Sequence, residues 1–126
     1  MTRRYINLPA PADKPPFSDA VLVGDTLYIA GRIGFVPGTY QIPEDVGAEA
    51  RNLLDWVRKV LAEAGMKMDH LVAVTVYCPD LSLFETFNGI YREFFGTELP
   101  SRAFIGSGPL LHGGHFQFQG IAVRDS

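Results

Sequence analysis

Hydrophobic and polar positions change period several times along this chain, and each change marks an element. Ala20-Val21-Leu22-Val23 and Thr26-Leu27-Tyr28-Ile29-Ala30 are two short apolar runs separated by Gly24-Asp25. Gly accepts positive φ without steric cost, so the pair reads as a two-residue hairpin turn. From Asp45 to Ala64 the period lengthens to 3.6: Val46, Ala50, Leu53, Leu54, Val57, Val60, Leu61 and Ala64 share one face. Glu49, Arg51, Asp55, Arg58, Lys59 and Glu63 fall mostly on the other, which reads as a solvated face. Asp45 suits the cap of this helix and Gly65 its end.

Leu71 to Cys78 is a strand with both faces largely apolar, the pattern of a central strand covered on both sides. Ser82 and Glu85 have the spacing of a capping box. The helix they predict runs to about Phe95 and ends at Gly96, with Phe84, Phe87, Tyr91 and Phe94 or Phe95 as its buried stripe. Asn88, near its middle, reads as an exposed polar position or a cap to a neighbouring loop. Leu99-Pro100-Ser101-Arg102-Ala103-Phe104-Ile105 is an extended entry into a short strand. A glycine-rich bend follows, and Phe116 to Val123 alternates as a last strand, with Gln117, Gln119, Ile121 and Val123 on one face.

The order β-β-α-β-α-β-β predicts a mixed α+β domain: one mixed sheet with two helices on one face. Both helices cover one side of the strand from Leu71 to Cys78. A chain this short has little left for the other side, so a second subunit is expected to cover it. Pro9, Pro11, Pro15 and Pro16 rule out a helix in the lead-in, and residues 1–15 are expected to form an extended arm.

Composition narrows the function classes. The 126 residues suit a single domain with one core. A net charge of −3 offers no electrostatic case for nucleic acid or an anionic membrane. No apolar run reaches bilayer length, and no apolar segment follows Arg3-Arg4 as a signal peptide requires. The single cysteine, Cys78, has no internal partner for a disulfide, which fits a reducing compartment, and the cytoplasm is expected.

Candidate chemistry is sparse. His112 and His115 flank Gly-Gly in a bend, short of the three or four ligands that zinc takes, so no metal is expected there. Cys78 has no adjacent cation to lower its pKa and reads as a small buried hydrophobe. Gly31-x-x-Gly34 matches neither a phosphate loop nor a dinucleotide fingerprint. Gly31, directly after a strand, either lets a ligand or backbone approach closely or marks a bulge. Arg102 stands at the mouth of an apolar strand, and a guanidinium is rarely buried without a partner. The partner is either one of the chain's own carboxylates or the carboxylate of a small substrate.

Five stretches together resemble the Rid family (reactive intermediate deaminase, also called YjgF-like): Pro16 to Ala20, Gly24 to Gly34, Asn88 to Phe95, Pro100-Ser101-Arg102, and Gly120 to Val123. The resemblance covers about Pro16 to Arg124. It implies a chorismate-mutase-like fold and a homotrimer whose sheets form a central barrel, with substrate clefts between neighbouring subunits. It also implies hydrolysis of 2-imino acids to keto acids and ammonia, without a cofactor.

Carried over by position, Arg102 is the arginine that holds the substrate carboxylate. Gly31 is the glycine whose backbone nears the ligand, and Asn88 is the family's helix asparagine. Phe17 stands where many members have Tyr, Ala30 where many have Ser, and Phe104 where Cys or Thr is common, so the pocket is expected to be tighter or more aromatic. Gln119 stands where active deaminases usually have the Glu that activates water. An amide cannot take a proton at neutral pH, although its carbonyl can orient water. Arg102 and Gln119 are thus the expected catalytic positions. Gly31, Ala30, Phe17, Asn88 and Phe104 are the expected substrate-binding positions. Two readings follow: an imine or enamine deaminase with low generic activity or altered specificity, and a non-catalytic binding protein for small carboxylate metabolites.

Overall fold

A computed structural model describes residues 2–11 and 15–125. Six strands form one sheet in the order β1-β2-β3-β6-β4-β5. The strands are β1 (Arg3–Ile6), β2 (Ala20–Val23), β3 (Thr26–Ile33), β4 (Leu71–Cys78), β5 (Ser101–Gly106) and β6 (Gln117–Val123), and the helices are α1 (Val46–Glu63) and α2 (Phe84–Arg92). All neighbours pair antiparallel except β4 and β5, which are parallel. A parallel pair needs a crossover, and α2 provides it. No described helix is long and apolar enough to cross a membrane.

The predicted elements are present, with four corrections. The arm is partly strand: residues 3–6 pair with β2 and make it an interior strand. The capping box does not form, because Asp80 caps the preceding short turn instead. Its carboxylate accepts from the Ser82 backbone N–H at 3.0 Å and from the Ser82 hydroxyl at 2.7 Å, while Leu83 occupies the cap of α2 without a side-chain bond. The helix stops at Arg92, and the chain reaches Phe95 through single tight turns. Elsewhere local chemistry behaves as read. Gly24 sits at φ 60° in the hairpin turn, Asp45 accepts from the Ala48 N–H at 2.9 Å, and Gly65 takes φ 71° just past α1.

Leu53, Leu54, Val57, Val60 and Leu61 of α1 are fully buried against Leu27, Val76 and Phe118 of the sheet, in a core that also takes in Phe87 and Tyr91 of α2. Each such side chain contributes about 1.5–3 kcal/mol on burial. The fourth correction lies in α1. Glu49, read as part of the solvated face, has 0% exposure. Its Oε2 accepts from the backbone N–H groups of His115 at 2.6 Å and Phe116 at 3.2 Å, and its Oε1 lies 2.8 Å from His115 Nδ1. The chain entering β6 is thereby fastened to α1. Gly34 makes the close approach possible: a Cβ there would lie 2.0 Å from the Glu49 carbonyl oxygen. Gly34→Ala is expected to cost about 1–3 kcal/mol through forced backbone shifts, read as a lower midpoint in urea unfolding.

The opposite face of the sheet is open. From β2 to β5 it presents Val21, Val23, Thr26, Tyr28, Gln117, Gln119, Ile121, Val123, Ala73, Thr75, Tyr77, Ala103 and Ile105, none of them charged. Tyr28 is 50% exposed and Ile105 42%. The face is thus free of charge and largely apolar, unlike the charged outer side of α1.

Candidate functional site

Arg102 lies on β5, at the edge of the sheet, in register with Val74 and so on the helix-covered side. Its Nη2 donates to Asn88 Oδ1 at 2.7 Å. The guanidinium carbon sits 4.7 Å from the Tyr91 ring centroid, 5.4 Å from that of Phe104 and 5.6 Å from that of Phe84. Among the described residues no carboxylate forms an ion pair with it. Burial lowers its pKa, the direction expected of a cation removed from water. Asn88 is buried, contrary to the exposed position its place in the helix suggested, because α2 turns it toward β5. The Tyr91 hydroxyl is also buried and makes no hydrogen bond to a described residue. Burial pushes its pKa up to about 12, so it stays a neutral donor. Three aromatic rings, one amide and one orphan hydroxyl therefore frame a half-buried cation with donors to spare.

The remaining expected site residues gather elsewhere. Between Ile29 and Arg32 the β3–β6 register slips, so that Ala30 and Gly31 together oppose Gln119 in a bulge. Gly31 is a point of close approach, but to the chain itself: a Cβ there would lie 2.6 Å from Gln117 Nε2. Gln119 is exposed on the open face, paired across β4 with Thr75, above a shallow depression of about 270 Å³. Phe17 is 55% exposed. With Ala30 and Gly31 it lines a second, larger cavity of about 1090 Å³. Within one chain, then, Arg102, Asn88 and Phe104 form one cluster, and Ala30 and Gly31 form another, opposite Gln119 in the sheet and beside Phe17 in the larger cavity. Arg102 and Gln119 lie on opposite faces of the sheet.

Among the other candidates, Cys78 is buried, its Sγ bonds the Asp80 carbonyl at 3.0 Å, and burial pushes its thiol pKa up. His112 is exposed at φ 59°, stacked near Tyr40, and His115 is held by Glu49. Tyr91, Phe84 and Glu49 are the neighbours that sequence reasoning did not place around these groups.

Residues 8–123 match the family model described as Endoribonuclease L-PSP. A "2-iminobutanoate/2-iminopropanoate deaminase" of Bos taurus is 36% identical over 116 residues, 91% of this chain and 85% of the relative. A protein of the same name from Escherichia coli (strain K12) is 34% identical over 118 residues, 91% of this chain and 92% of the relative. Among solved structures, E. coli TdcF with bound serine superposes with a TM-score of 0.85 at 30% identity, covering 92% of this chain and 94% of its own. On the strength of the match over 8–123 and of these full-length relatives, the chain belongs to the Rid family.

Proposed function

We propose that this chain hydrolyses small carboxylate-bearing imines or enamines to keto acids and ammonia, in a cleft completed between copies of a homotrimer. The observation that carries the reading is Arg102: a half-buried guanidinium with an aromatic surround and no carboxylate partner among the described residues. The planar fork of Arg102 suits a substrate carboxylate, which it can meet with two parallel charge-assisted bonds. The names of the relatives, and the serine bound to TdcF, support a small amino- or imino-carboxylate as the class.

The open, uncharged sheet face supports the assembly. Second copies packed there would bring the Gln119 cluster of one subunit toward the Arg102 cluster of its neighbour, which a single chain cannot do. In such a cleft Arg102 fixes the carboxylate and the Gln119 carbonyl orients a water. The water adds to the imine carbon, and the resulting carbinolamine collapses, breaking the C–N bond and releasing ammonia as the keto form appears.

Gln119 is the specific observation behind a second reading, carboxylate binding with little turnover, because an amide cannot accept the water's proton. The two readings separate in a dehydratase-coupled assay that generates 2-iminobutanoate in place. Native protein is expected to exceed the buffer rate, and Gln119→Glu to exceed native by about a hundredfold, the lower end of the general-base range. A native rate equal to buffer, with keto-acid binding intact, selects the binding reading.

A further inference from the structure

The large cavity that Phe17, Ala30 and Gly31 line has a cation of its own. It opens between the N-terminal arm, the loop after β3 and the helix α1. Arg32 forms part of its wall, next in sequence to Gly31. The Arg32 guanidinium lies 4.7 Å from the Trp56 ring centroid and 5.0 Å from that of Phe35. Its Nε is buried and makes no hydrogen bond to a described residue, and no described carboxylate forms an ion pair with it. Asp19, also in the cavity wall, accepts from the Leu8 N–H at 2.9 Å through Oδ2 and acts on Arg32 through space without forming an ion pair, and Asp55 pairs with Arg58. Lys59 adds a second positive charge at the cavity wall.

Contact with two rings leaves the buried Nε–H of Arg32 without a partner among the described residues, a donor that an anion can take. The cavity also meets the wall of the proposed substrate cleft at Gly31. We infer that the substrate carries a second acidic group, held by Arg32 in this cavity, so that the preferred ligands are dicarboxylates rather than simple 2-imino acids. The inference rests on the reading of Arg102 as anchor of the first carboxylate.

Trp56 is the only tryptophan in the chain, so its emission reports occupancy beside Arg32. Native protein, Arg32→Met and Arg32→Lys are titrated with α-ketobutyrate and with α-ketoadipate, following heat by calorimetry and Trp56 emission in parallel. The expected result is that native protein binds α-ketoadipate about tenfold more tightly or better, as one added charge-assisted contact implies. Trp56 emission shifts with α-ketoadipate alone, and Arg32→Met loses the preference while keeping its α-ketobutyrate affinity. Arg32→Lys, which keeps the charge without the fork, is expected to retain part of it and serves if Arg32→Met does not fold. Equal affinities and a silent Trp56 in the native protein overturn the inference and leave the Arg102 reading standing. Native protein that binds neither keto acid removes the Arg102 reading and this inference together, whereas α-ketoadipate binding that depends on Arg32 but not on Arg102 removes the former alone.

Discussion

Arg102→Met is expected to weaken binding of a small keto acid by at least about a hundredfold while leaving the fold in place. Two charge-assisted bonds to a carboxylate contribute about 1.5–3 kcal/mol each. At about 1.4 kcal/mol per tenfold, their loss corresponds to about 10²–10⁴ in the dissociation constant. The methionine stem keeps contact with Phe84, Tyr91 and Phe104, the rings that surround the guanidinium. Within the protein the hydrogen bond to Asn88 and the cation–π contacts are given up. A structural arginine would behave in the opposite way, with a lower melting temperature and unchanged binding. Calorimetry with α-ketobutyrate beside a thermal melt separates the two.

Glu49→Ala carries the second large effect, and it falls on stability. The carboxylate is fully buried, takes two backbone N–H donors from the segment that leads into β6, and lies 2.8 Å from His115 Nδ1. Its removal leaves two backbone N–H groups without partners inside the protein, next to the space the side chain filled. Two buried donors left unpaired cost about 1–3 kcal/mol each, and the emptied space adds to that. For a domain of this size that corresponds to a fall of about 10–20 °C in Tm. His115→Ala removes only the ring contact of a half-exposed side chain and is expected to cost about 1 kcal/mol. The ratio of the two, measured by denaturant unfolding, identifies the backbone bonds as the main contribution.

The elements were legible because their signals are local. The hairpin at Gly24-Asp25, the stripe of α1 and the alternation of β6 each depend on neighbours within a turn or two. The uncovered side of β4 was legible too, since a strand apolar on both faces cannot be satisfied by helices on one. Glu49 carries a signal for burial in its position, since 46, 49, 50 and 53 are one helical face, but its charge points the other way, toward solvent. Only the approach of Gly34 and the turn before β6, more than sixty residues away, makes that burial tolerable, and no local pattern contains it. Ser82 and Glu85 failed as a cap for a related reason, as Asp80 reached Ser82 first. Arg102 was legible as an arginine in need of a partner. Its surround of Phe84, Tyr91 and Asn88 was not, because the crossover packing of α2 on β5 decides which side of the helix it meets. The separation of Arg102 from Gln119 onto opposite faces follows from register alone and became visible only with the sheet order.

That separation makes the shared cleft the point on which the account turns, and mixing two inactive variants tests it directly. Arg102→Met and Gly31→Leu each damage one cluster, and each is expected to lose imine hydrolysis. Denatured together in equal amounts and refolded, they should recover activity near about one quarter of native, because random assembly pairs an intact Arg102 with an intact Gly31 across that fraction of interfaces. A mixture as inactive as its parents, beside active native protein, would contradict a site built from two copies.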